Sequence, residues 1–148
     1  MAKHDNLFIW DYKYFPPEFW EQDKKSPLKG SHLLWMDGER VPGAFYMETA
    51  WFFPGDWPDK TGSRKDRTIG EHIHDYDEVI AWVGTDPEDQ YNLNGEIEIW
   101  IDGKRNFIDR SFLCFVPAGV KHGPINIRKI TKPMFHFTAG MGKKYRKG

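Results

Sequence analysis

The stretch with the most chemical content is Gly70-Glu71-His72-Ile73-His74-Asp75-Tyr76-Asp77-Glu78. Residues two apart on a β-strand project from one face, so His72 and His74 point the same way. A tight turn over 75–77 then returns Glu78 beside them at the start of the next strand. Two imidazoles and a carboxylate on one face suit a divalent ion of the Mn, Fe, Co, Ni, Cu or Zn group. His-x-His by itself recurs by chance on exposed strands, so a second feature is needed.

That feature is Pro117-Ala118-Gly119-Val120-Lys121-His122-Gly123-Pro124-Ile125-Asn126. Pro-x-Gly specifies a tight turn, and His122 leaves it in a defined direction. The order and separation of the two segments resemble the two motifs of the cupin superfamily, over residues 44–138. The resemblance implies that the first motif supplies His72, His74 and Glu78 as metal ligands and the second supplies His122. Asn126 stands where the second motif often has Asn. Two positions depart from the pattern. Ser111 replaces the usual Gly six residues before Pro117, and Gly70 lies nearer the first histidine than is usual. Both loosen the expected turns, and neither removes a ligand. Residues 1–40 match no cupin pattern.

The implied fold is all-β: a double-stranded β-helix, or jelly-roll barrel, with a short N-terminal arm, holding one divalent transition-metal ion (Fe, Mn, Ni, Co, Zn or Cu). Cupins with three His and one Glu include dioxygenases, decarboxylases, isomerases and lyases. The resemblance therefore implies a metal-dependent enzyme on a small oxygenated or aromatic substrate, with dioxygenase or decarboxylase foremost. A non-catalytic cupin that senses or carries a small molecule is the other reading. Four protein ligands leave one or two positions on the ion for water, substrate or dioxygen.

Other polar side chains fall on strands that could line the barrel: His32, Tyr46, Glu48, Trp82, Trp100 and His136. His136 and Tyr46 are the candidate catalytic residues, His136 because an imidazole titrates near neutral pH. In Phe135-His136-Phe137 either the phenylalanines or the histidine face the core, and both registers are open. Glu71 and Asp77 flank the ligands and are expected to point away, as partners behind the site.

The elements that must position these groups are short strands separated by 10 Pro and 14 Gly. Strands are expected over 7–12, 32–36, 44–53, 69–74, 79–83, 96–101, 106–108, 112–116, 125–130 and 134–138, an even spacing typical of sandwiches and barrels. Asp102-Gly103 after an alternating run predicts a hairpin. Residues 78–83 are apolar on both faces, which predicts cover from both sides. One or two helical turns are expected over 16–22, and loops over 54–68 and 85–94. Residues 1–43 form an arm and first strands, and 44–148 the barrel, all within one domain.

Composition excludes several classes. With 21 Lys and Arg against 22 Asp and Glu, the net charge of −1 offers no basic face for nucleic acid, and the basic run from 143 reads as a solvated tail. Cys114, the one cysteine, lies in an apolar run and reads as a buried, inert thiol. No apolar stretch is long enough to span a bilayer, and the N-terminus lacks a secretory pattern, so the expected location is cytoplasmic. The expected partners are a small molecule and a second copy of the chain. The homodimer would use the outer sheet with Phe8, Trp10, Phe15, Phe19 and Trp20 of the aromatic arm.

Overall fold

In the computed structural model, which describes residues 4–11, 32–55 and 71–142, every element longer than a single turn is a strand. In chain order they are β1 (His32–Met36), β2 (Tyr46–Phe52), β3 (Glu78–Gly84), β4 (Asn92–Ile101), β5 (Lys104–Arg110), β6 (Phe112–Val116), β7 (His122–Ile130) and β8 (Met134–Gly140). They form a five-stranded sheet, β1-β2-β8-β3-β6, and a three-stranded sheet, β5-β4-β7. All the pairings are antiparallel. This is the expected all-β jelly roll.

Parity along the strands decides what faces the core. From the larger sheet come Ile80, Trp82, Val116 and Met134; from the smaller come Leu93, Ile97, Ile99, Ile125, Ile127 and Ile130. Their mutual burial supplies the main driving force for closing one sheet on the other. The expected hairpin is present: Asp102 and Gly103 both have positive φ (48° and 77°), as a two-residue turn of the right twist requires.

Four expectations are corrected. Among the described residues 7–11 the expected strand 7–12 is absent; a 3-10 turn at Asp5–Leu7 stands at its start, closed by the Phe8 N–H donating to the Asp5 carbonyl. Strand 69–74 contracts, among the described residues, to one bridge between His72 and His122. The loop expected over 85–94 ends earlier, because β4 begins at Asn92 and buries Leu93 completely. Trp100 does not line the interior: it lies on the face opposite Ile97 and Ile99, beside Glu98 and Asn126. The helical turns over 16–22, the arm residues Phe15, Phe19 and Trp20, loop residues 56–68 and the basic tail lie outside the described residues.

On β3, Glu78, Ile80 and Trp82 are buried on the inner face, while Val79 and Val83 on the outer face are half-buried. Outward Leu113 and Phe115 on the neighbouring edge strand are 71% and 62% exposed.

Candidate metal centre

Backbone pairing brings the two motifs together. The His72 N–H donates to the His122 carbonyl (2.8 Å) and the His122 N–H donates back to the His72 carbonyl (3.0 Å). That reciprocal pair places the two side chains next to each other, ring centroids 4.2 Å apart. One turn on, the Gly119 N–H donates to the His74 carbonyl (2.9 Å), tying the first motif to the Pro117–Gly119 turn. Gly119 takes φ +82° there, and the Val120 N–H closes the turn on the Pro117 carbonyl at 3.1 Å.

Glu78 enters from the first residue of β3. One carboxylate oxygen lies 3.0 Å from His74 Nε2 and the other 3.5 Å from His122 Nε2. The ligand-type atoms of His72, His74, Glu78 and His122 all fall within 4.8 Å of one another, with the last three residues buried and His72 half-buried. All four sequence-predicted ligands are thus assembled in one cluster.

The electrostatics suit a cation. Burial pushes the Glu78 carboxyl up, but contacts with His122 and His74 outweigh it and hold the group at about 2. Glu78 is therefore ionised at neutral pH. His122 Nδ1 lies 3.0 Å from the Val120 carbonyl, which can only accept. In neutral His122 the proton thus sits on Nδ1, leaving the Nε2 lone pair facing Glu78. At 3.5 Å the Nε2–carboxylate approach is too long for a strong hydrogen bond, and Nε2 is buried without a well-formed partner. A buried nitrogen lone pair beside a carboxylate and two more imidazoles is the donor set of a divalent transition ion, and the residues fit such a group.

Asp77 has a definite role: its Oδ1 accepts the Ala118 N–H (2.9 Å), bracing the turn that launches His122. Glu71 pairs at 3.6 Å with Lys121, both half-exposed. Tyr46 is 2% exposed, packed on Trp35, and level with Gly140, which is in turn level with Glu78. Glu48 lies on the same inner face.

His136 faces inward, resolving its register, while Phe135 and Phe137 face out. Its Nδ1 donates to the Ala81 carbonyl (2.7 Å), and its ring lies tilted by 30° against Trp82, with centroids 3.9 Å apart. Burial pushes its pKa down to about 4, so it is neutral at pH 7 and outside the range that suits proton transfer there. Two contributors escaped the sequence reading: the Val120 carbonyl, which has no side-chain signature, and Tyr76, stacked on His74 at 4.7 Å. A bulky ring inside a polar turn was the available signal for Tyr76.

No protein-family model matches the chain, and no curated protein matches it. Solved structures do. An oxalate oxidase aligns over 96% of this chain and 62% of its own, at 15% identity and a TM-score of 0.52. The chain thus shares the fold of that oxalate oxidase. A predicted oxalate decarboxylase from Thermotoga maritima aligns over 74% of this chain and 76% of its own, at 19% identity and a TM-score of 0.45. An RmlC-like cupin from Shewanella frigidimarina aligns over 67% and 68%, at 19% identity and a TM-score of 0.36. Likeness at these identities is one of architecture, and reaction type is decided by the site. No helix among the described residues is long and apolar enough to cross a membrane.

Proposed function

We propose that this chain is a cupin and a metal-dependent enzyme acting on a small oxygenated or aromatic substrate, of dioxygenase or decarboxylase type. The supporting observation is the cluster of four ligand-type atoms within 4.8 Å on His72, His74, Glu78 and His122. A bound divalent transition ion would supply Lewis acidity toward a carbonyl or carboxylate oxygen and, for a redox metal, electron transfer. The protein's own part is to keep Glu78 ionised, to present the Nε2 lone pair of His122 through the Val120 contact, and to exclude water with the surrounding rings. A fold shared with an oxalate oxidase makes small carboxylates natural members of the substrate panel.

His136 is better suited to hydrogen-bond orientation than to proton transfer, since it stays neutral and its Nδ1 proton is committed to Ala81. Tyr46, two strands from Glu78 at the same level of the sheet, remains the candidate for a catalytic side chain. The neutrality of His136 also favours a second reading, a cupin that binds its small molecule without turning it over. We place the protein in the cytoplasm and propose that it pairs as a homodimer through the apolar outer face bearing Leu113 and Phe115, with Phe8 and Trp10 of the arm. A monomer in sedimentation at micromolar concentration would count against the pairing.

The test of activity is a panel of oxalate, keto acids, β-diketones, dihydroxyaromatics and sugar phosphates, with metal-loaded protein, with and without oxygen. Turnover that disappears when the metal is chelated supports the enzyme. Tight binding without turnover across the panel supports the carrier or sensor instead.

A further inference from the structure

Tyr76 occupies the turn between His74 and Glu78, yet only 6% of its surface is exposed. Its ring lies nearly parallel to the His74 imidazole, with centroids 4.7 Å apart and planes inclined at 18°. The neighbouring rings of His72 and His122 meet His74 edge-on or tilted, at 66° and 51°. Tyr76 is therefore the flat surface against which this imidazole rests.

The ring of Tyr76 is itself held by backbone. A Cβ on Gly140 would collide with Tyr76 Cε2 and lie 2.7 Å from Cδ2, and one on Gly142 would lie 3.0 Å from Cδ1. Neither glycine takes a positive φ, so what the site demands of them is space. This stretch of backbone is anchored on both sides. The Met141 N–H donates to the Asp77 carbonyl (3.1 Å), the Tyr46 N–H donates to the Gly142 carbonyl (3.0 Å), and Gly140 is level with Glu78 across the sheet. Close packing of this kind transmits small displacements, because there is no free volume to absorb them.

We propose that Tyr76, wedged between the Gly140–Gly142 backbone and His74, is a positioning residue that fixes the His74 imidazole in its inward, Glu78-facing orientation. The orientation itself stands on the packing; its consequence for metal rests on the proposed function. His74 Nε2 lies 3.0 Å from Glu78, so rotation of the imidazole would take one donor out of the cluster. Substitutions that leave every ligand in place should thus weaken the site, by roughly the 10–100-fold typical of residues that orient metal ligands.

Four variants of the full chain test this: Tyr76→Phe, Tyr76→Leu, Gly140→Ala and the double variant Tyr76→Leu/Gly140→Ala. Two readouts are taken. One is the set of nuclear Overhauser contacts between the His74 ring and those of His72 and His122 in metal-free protein. The other is Co(II) affinity by chelator competition, with the visible spectrum of the Co(II) form. Tyr76→Phe keeps the stack and should match the wild type in both. Tyr76→Leu and Gly140→Ala should weaken the inter-ring contacts, lower Co(II) affinity roughly 10–100-fold and change the spectrum. In the double variant the added methyl has no ring to strike, so its loss should be little greater than that of Tyr76→Leu alone. Should Gly140→Ala fail to fold, Tyr76→Leu still decides. Unchanged inter-ring contacts and Co(II) affinity in Tyr76→Leu overturn the proposal. Wild-type protein that binds no Co(II), while the contacts weaken in Tyr76→Leu, supports the positioning role and overturns the metal reading instead.

Discussion

Two glutamates of this protein are buried to nearly the same degree, Glu78 at 4% and Glu98 at 5% exposure, on opposite faces of the jelly roll's walls. Glu98 points outward from the three-stranded sheet into permanent donors. It accepts from Trp100 Nε1 and Arg105 Nε, each at 2.9 Å, with Asn126 and Arg128 at 3.4 Å. The two guanidinium groups also lie over Phe107, at 4.5 and 5.4 Å from its ring. Burial works against ionisation of Glu98, and the Trp100 hydrogen bond and the Arg105 charge outweigh it. Glu78 points inward and, among the described residues, its ion-pair partners are the imidazoles of His74 and His122. An arginine cannot give up its proton at any working pH, whereas an imidazole can exchange its proton for a metal. Equal burial and similar ionisation thus yield a sealed structural network on one side and a chemically open site on the other.

The largest expected contrast is in metal affinity. Glu78→Ala should weaken binding by more than about 100-fold, beyond the cost of losing an orienting partner, while Glu98→Ala leaves it unchanged. Both affinities can be read by chelator competition. Wild-type affinity in Glu78→Ala would mean a three-histidine site and a wrong role for the carboxylate.

For a third buried group, His136, burial outweighs the Ala81 hydrogen bond and the charge of Glu78, and pH tests that difference. It ionises near 6.5 when unfolded and near 4 when folded. As pH falls below 6.5 the unfolded chain takes up the proton first, so stability is lost between about 6.5 and 4. The full loss is about 3 kcal/mol. Urea unfolding of wild type and His136→Gln across that range should give curves that converge as pH falls. Parallel curves would contradict the neutral, buried assignment.

Glu98→Ala should in turn cost roughly 1–3 kcal/mol of stability, because it strips the Trp100 N–H and two arginines of their shared acceptor. Denaturant midpoints check this, and a neutral outcome would make the network ornamental. Smallest of all, Asp77→Ala removes one acceptor from the turn that launches His122. Its expected effect is a roughly 2- to 10-fold loss of metal affinity, equivalent to one hydrogen bond, with little change in midpoint.

Much of this contrast was legible beforehand, for reasons of parity. Residues two apart share a face, so His72 with His74 followed the strand rule, although the strand itself shrank to one bridge. The Asp102-Gly103 hairpin declared itself through its need for positive φ. Parity alone could not say which face of β8 is inner, because Phe135-His136-Phe137 reads equally well both ways. Nor could it find the start of β4, where Asn92-Leu93-Asn94-Gly95 has turn composition but Leu93 is fully buried. Trp100 was placed by residue type toward the interior, whereas the alternation of Ile97 and Ile99 sends it outward to Glu98. The Val120 carbonyl and the Gly140 cradle are properties of backbone, which side-chain patterns do not encode.

Whether the inward cluster holds an ion is settled most directly by elemental analysis of the protein purified without added metal, alongside His72→Ala and His122→Ala. One transition-metal ion per chain in the wild type, absent from both variants, is the predicted result. Full metal content in both variants, or a wild type that carries none and takes up no Co(II), would contradict a metal centre on His72, His74, Glu78 and His122.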